Sequence, residues 1–135
     1  MTKEKIVVSG KRKSAVAKAT IREGTGRVTV NKKPYENLPY FRKLMIEEPL
    51  ELTKKVLGNF NFDIDASARG GGQESQIEAA RLAIAKALVK FTKSNELRKT
   101  FLSYDRNLLI ADVRRKEAYK PGDSKARRKR QKSYR

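Results

Sequence analysis

Few residues in this chain are placed to do covalent chemistry. Asp63 and Asp65 stand two apart in a stretch that alternates apolar and polar side chains. That spacing projects both carboxylates from one face of a strand, where a divalent metal would find oxygen ligands. The same alternation also demands polar residues at those positions, so a solvent-facing strand is the plainer account. The chain has no His and no Cys, which removes the usual general base near neutral pH, the commonest metal ligand and any thiolate nucleophile. Gly70-Gly71-Gly72 stands before a helical pattern and invites comparison with nucleotide-binding loops. A P-loop needs Gly-Lys-Ser/Thr at its far end, and a dinucleotide fingerprint needs a final Gly where Ser75 stands. A strand-to-helix turn accounts for the glycines. Alternatively, their amides at a helix start offer a dock for an RNA backbone phosphate. Catalysis is not expected, and no metal, cofactor or small-molecule substrate is called for.

The cations tell more. Lys and Arg number 33 against 15 Asp and Glu, a formal charge of +18. A polyanion is the simplest partner that relieves such self-repulsion. Residues 113–135 hold 11 basic and 2 acidic side chains, and residues 1–112 hold 22 and 13, so each part carries +9. The last sixth of the chain therefore bears half the charge. It contains Pro121, Gly122 and few large apolar residues, too little to offset its ordering entropy, and is expected to form an extended interaction arm. Its guanidinium groups suit phosphate oxygens, and Tyr119 and Tyr134 offer rings that stack on an unpaired base or pack on a partner protein. A second basic run, Lys11-Arg12-Lys13, is expected in a turn between two strands. No apolar run approaches the roughly 18 residues that span a bilayer, and the first residues show no signal-peptide core. A cytoplasmic, nucleic-acid-bound protein is the reading that remains.

The elements that must position these groups mix strands and helices. Residues 6–9 form a β-branched run stopped by Gly10, residues 15–21 a second strand, and residues 27–30 a third ended by Asn31-Lys32-Lys33-Pro34. These pieces predict a meander joined by tight turns. Phe60, Phe62, Ile64, Ala66 and Ala68 alternate with polar residues, a strand with one face on the core. Residues 40–46 and, after Pro49, 50–57 predict two short helices. Ile77, Ala80, Ile84, Leu88 and Phe91 recur at helical spacing, with alanines that allow close approach to a sheet. A last helix over residues 95–102 carries Asn95 as its cap, and residues 108–111 close the core.

Several of these segments resemble, in order, the universal ninth protein family of the small ribosomal subunit. Residues 10–17 look like its first basic loop and following strand, and residues 27–34 like its hairpin. Glu48-Pro49-Leu50 resembles its linker, and Gly70-Gly71-Gly72 with Gln76, Ala80-Arg81, Ile84 and Ala87-Leu88 its glycine loop and long helix. Asp105-Arg106-Asn107-Leu108-Leu109 and Asp112-Val113-Arg114-Arg115 follow in family order, and residues 130–135 resemble the archaeal and eukaryotic ending. The pattern departs at Val113, at Glu74-Ser75 and over residues 120–124.

The resemblance implies a two-layer α/β sandwich of the α+β kind. In it a mostly antiparallel sheet of about four strands carries helices on one face, over residues 1–112, with an extended arm at 113–135. It implies a structural constituent of the small ribosomal subunit, bound to rRNA in the head beside neighbouring ribosomal proteins, with the arm reaching the peptidyl-tRNA anticodon stem-loop. The implied rRNA-binding residues are Lys11, Arg12, Lys13, Arg69, Gly70, Gly71, Gly72, Arg106, Arg114, Arg115, Arg127, Arg128, Lys129 and Arg130. The implied tRNA-facing residues are Lys132, Ser133, Tyr134 and Arg135. A free-standing nucleic-acid-compacting or RNA-chaperone protein shares the charge but not the motif order. A metal-dependent nuclease would need Asp63 and Asp65 as ligands.

Overall fold

A computed structural model describes residues 5–110. The arm, with its candidate residues Arg114, Arg115, Arg127 to Arg130 and Lys132 to Arg135, lies outside the described residues, as does Ala111 at the end of the core segment. Five strands, β1 (Ile6–Arg12), β2 (Ala15–Glu23), β3 (Val28–Val30), β4 (Lys33–Pro34) and β5 (Phe62–Arg69), form one sheet in the order β1-β2-β5-β3-β4. The helices α1 (Tyr40–Leu57), α2 (Gln73–Thr92) and α3 (Asn95–Tyr104) supply the second layer.

The sheet is mixed rather than mostly antiparallel, and it has five strands rather than four. β3 runs parallel to β5, with Val28 opposite Ile64 and Val30 opposite Ala66. The meander fails because β5 enters between β2 and β3. A parallel pair needs a long crossover, and here α1 provides it. The turn after β2 must therefore skip a strand position, and β5 itself holds it open. The Asp63 carboxylate accepts hydrogen bonds from the backbone N–H of Thr25 and of Arg27, both at 3.1 Å.

Gly10 does not stop β1; it lets α2 reach the sheet. A Cβ there would lie 2.6 Å from the Ala79 carbonyl oxygen and 2.8 Å from the Ala83 nitrogen, closer than any side chain allows. Ala15, Ala17, Ala19, Ile21, Ile64 and Ala66 meet Ala80, Ala83, Ile84 and Ala87 in the core between the layers. The alternation on β2 and β5 thus covers one sheet face with helices and leaves the other to solvent.

The two helices expected around Pro49 are one, α1, with Pro49 inside it. A mid-helix proline removes one backbone hydrogen bond, but Ile46, Pro49, Leu50 and Thr53 are all buried on the same side, and that packing outweighs the loss. α2 begins at Gln73, earlier than its apolar period implies. Ser94, not Asn95, caps α3, its hydroxyl accepting from the Leu97 N–H at 3.2 Å. Of the segment expected to close the core, Leu108 is fully buried and Leu109 packs partly against it. Ile110 is exposed, because the chain leaves the core after the 3-10 turn.

Candidate nucleic-acid interface

The consecutive cations 11–13 do not share a turn. Lys11 and Arg12 end β1, and the two-residue turn is Lys13-Ser14, with Arg12 paired opposite Ala15. Strand alternation then sends neighbouring side chains to opposite faces. Lys11 is exposed on the open face. Arg12 points to the helices, where its side chain is 17% exposed and its Nε donates to Glu78 of α2. Lys13 holds φ 55 in the turn. One basic word in the sequence becomes three environments.

The glycine loop meets this turn directly. Gly70 and Gly71 hold φ of 76 and 60, the left-handed region that glycine enters without penalty. A Cβ on Gly70 would sit 2.7 Å from the Ser14 carbonyl oxygen, and one on Gly71 would sit 3.1 Å from the Ala15 nitrogen. The Gln76 side chain donates to the Gly70 carbonyl at 3.1 Å, tying the loop to the first turns of α2. Close packing therefore explains the glycines. Gly72 provides no side-chain cap for α2, and Glu74 in the first turn complements the helix's positive end. Arg69 lies opposite Val16 on the open face and is exposed. Lys11, Lys13, Arg69 and the glycine loop thus gather at one end of the sheet. Arg106 does not join them: it stands exposed in a 3-10 turn at Arg106–Leu108 that packs on α2 and α3.

Asp63 and Asp65 have structural partners. Asp63 holds the turn before β3, and the N–H groups of Arg27, then Thr25 and Gly26, with the nearby Arg22 charge, keep its carboxyl below the usual aspartate value, against a smaller opposing effect of burial. The Asp65 carboxylate accepts from the Thr29 hydroxyl at 2.6 Å. Among the described residues no group of three or more acidic, His or Cys side chains is placed to hold a metal ion. No helix among them is long and apolar enough to cross a membrane.

Two further cations belong to the open face. Lys18 of β2 lies between Ser9 of β1 and Ser67 of β5. Lys32 sits in the β3–β4 hairpin turn, where Asn31 and Lys32 have φ of 52 and 68. Lys18 and Lys32 both line a shallow groove of about 550 Å³ with Val7, Thr20, Thr29, Ser67 and the carboxylate Asp65, whose charge the Thr29 hydroxyl already engages. The alternation of β2 already assigns Lys18 to the wet face, but only the strand order brings it beside Lys11 and Arg69. Lys32 lies in the segment that resembles the family's hairpin, but composition alone marks it only as a strand terminator, and nothing in the sequence places it beside Lys18.

Arg81 is the other residue whose role needs three dimensions. It donates to Glu48 of α1 and lies 3.3 Å from Asp105, which follows α3, with its side chain only 11% exposed. Three segments that look separate in sequence, around Glu48, Arg81 and Asp105, converge on this single ionic contact.

Residues 10–135 match the model of the family described as ribosomal protein S9/S16. Over 129 residues the chain is 47% identical to a protein of Methanococcus vannielii named small ribosomal subunit protein uS9, covering 93% of this chain and 95% of the relative. The protein of the same name from Methanococcus maripaludis strain C7 is 49% identical over the same length and coverage.

Proposed function

This chain belongs to the ribosomal protein S9/S16 family, and from that premise we propose how it works as a structural constituent of the small ribosomal subunit. It is not an enzyme: its task is to bind and position RNA, beside other ribosomal proteins. The reading places residues 1–112, as the globular RNA-binding part, on the rRNA of the subunit head in the cytoplasm. Residues 113–135 act as an arm that follows rRNA toward the peptidyl-site tRNA. Lys11, Lys13 and Arg69 neutralise phosphates at one end of the sheet, releasing counterions as they do so, and the amides of the glycine loop dock a backbone phosphate beside them. Arg12 supports that end from within, through Glu78. Arg106, Arg114, Arg115 and Arg127 to Arg130 extend the rRNA contact, and Lys132, Ser133, Tyr134 and Arg135 meet the anticodon stem-loop.

One observation carries the reading beyond family membership: the first basic turn and the glycine loop, distant in sequence, are packed against each other at the Ser14–Gly70 contact. The test is ultraviolet crosslinking in cells, with sequencing of the attached RNA. Crosslinks concentrated in head-domain rRNA, with tRNA fragments joined near Arg135, are expected. Deleting residues 132–135 should weaken peptidyl-tRNA retention while assembly proceeds; unchanged tRNA affinity in truncated subunits would sink the arm assignment.

A further inference from the structure

The open face of the sheet is divided by charge along its strands. Toward the glycine-loop end, one row across three strands reads Lys11, Val16, Arg69, and the next reads Ser9, Lys18, Ser67. These rows contain cations and hydroxyls and no carboxylate. Lys32 adds a cation beyond β5, since Asn31 beside it accepts from the Ala68 N–H at 2.8 Å and donates its own N–H to the Ala66 carbonyl at 2.8 Å. Farther along, Asp65 and Asp63 appear, already engaged by Thr29, the Thr25–Arg27 turn and Arg22. Among the described residues, Lys11, Lys18, Lys32 and Arg69 have no ion-pair partner.

We propose that Lys11, Lys18, Arg69 and Lys32 form a belt that carries the sugar-phosphate backbone of an RNA strand across the open face of the sheet. It rests on the ribosomal reading and adds to it a second surface, in which Lys18 and Lys32 are as important as the basic turn. Three features choose this occupant. The belt crosses from β1 to the β3–β4 hairpin, three inter-strand gaps of about 4.8 Å or roughly 14 Å, so its charges form a line rather than a single anion pocket. Lys18 is diagonal to Lys11 and Arg69 on one side and to Asp65 on the other, each at about 7–8 Å between side-chain origins. Asp65 is already engaged by Thr29, so toward the glycine-loop end the three cations face one another without a carboxylate between them, and a polyanion lying over them relieves that repulsion. Lys32 keeps a lysine at φ 68, a backbone that disfavours a side chain, where it shares the groove with Lys18.

The face also says how it reads RNA. Sheets that recognise unpaired bases stack them on aromatic side chains. Here the exposed groups between the cations are Val7, Val16, Ser9 and Ser67, and no described aromatic residue stands on this face of β1, β2 or β5. Contact is therefore to phosphate and sugar, which positions RNA without reading its sequence.

The experiment compares the full-length chain with its Lys11→Ala/Lys18→Ala/Lys32→Ala and Lys→Arg counterparts, titrated with a head-domain rRNA transcript and with an unrelated duplex RNA over a range of salt. The slope of log affinity against log salt is expected to fall by about two to three in the alanine variant, for three lost phosphate contacts at roughly 0.7–0.9 each. The fall should be equal on both RNAs and be restored by arginine, with thermal unfolding unchanged. A wild-type slope in the alanine variant, with rRNA still preferred, overturns the belt and leaves the ribosomal reading standing. Loss confined to one RNA overturns the backbone-only mode. A wild-type chain with no preference for rRNA fails the ribosomal reading instead, and the slope on duplex RNA still decides the belt.

Discussion

Cations on the two sides of the sheet lead different lives. On the helix side, Arg12 meets Glu78, Arg42 meets Glu74 at 2.7 Å, and Arg81 meets Glu48 and Asp105. Those arginine side chains are 11–24% exposed. Burying a guanidinium without a counter-charge is costly, so the carboxylates are part of the fold. On the open face Lys11, Lys18 and Arg69 are exposed and lack ion-pair partners among the described residues; only Arg22, at the far end of the strands, approaches a carboxylate, Asp63, at 4.0 Å. A formal charge of +18 is thus not one property. Part of it is matched internally and ties helices to each other and to the sheet; the unmatched cations of the open face are the ones proposed to meet RNA.

The sharpest way to break that comparison is to remove a matched cation. Arg81→Met keeps the length and apolar stem of the side chain but leaves Glu48 and Asp105 near each other without the guanidinium. Removing one partner of a buried pair is strongly destabilising. The carboxylates here are 36% and 39% exposed, so water screens part of the loss. A decrease of about 1–3 kcal/mol is expected, read as a lower urea midpoint at unchanged slope. A midpoint equal to wild type would mean that the helix-side pairs are ornamental.

This division was partly legible in the sequence. The alternation of β5 and the period of α2 are visible because each buries one face, and burial imposes a period on residue type. The alanines that let α2 approach are visible for the same reason, and so is the family, from motif order. The strand order was not. Val28–Val30 is too short to announce its neighbour, and the parallel pairing with β5 depends on a crossover that spans the whole of α1. Pro49 split one helix into two on paper because the penalty is local and the compensating burial is not. The belt was hidden likewise: Lys11, Lys18, Lys32 and Arg69 sit in four separate segments, and only the sheet order makes them neighbours. Arg12 erred in the other direction, grouped with Lys11 and Lys13 by sequence and divided from them by the pleat.

Asp63 sits on the open side yet behaves like a matched charge, and it sharpens the comparison through pH. Asp63→Ala should cost about 1 kcal/mol by freeing the Thr25 and Arg27 N–H groups. Its folded pKa lies below the ordinary value, so its stabilisation is fully present above the unfolded carboxylate pKa of about 4 and is lost as pH falls through the folded value. Urea midpoints of variant and wild type should differ at neutral pH and converge in acid. A gap that persists in acid would show that the turn needs the side chain's shape, not its charge.

The smallest expected effect on stability is the most informative about the open face. Lys11→Ala with Lys18→Ala removes two exposed cations that form no ion pair among the described residues. Surface changes away from specific contacts stay within about 0.5 kcal/mol, and easing repulsion with Arg69 pushes the sign toward stabilisation. The double variant should therefore unfold at the wild-type midpoint or slightly above it, more so at low salt, where like charges are less screened. That result, beside the loss at Arg81, would mean these lysines are retained at no benefit to the fold. A loss above about 1 kcal/mol would place them among the structural cations and dissolve the distinction between the two sides of the sheet.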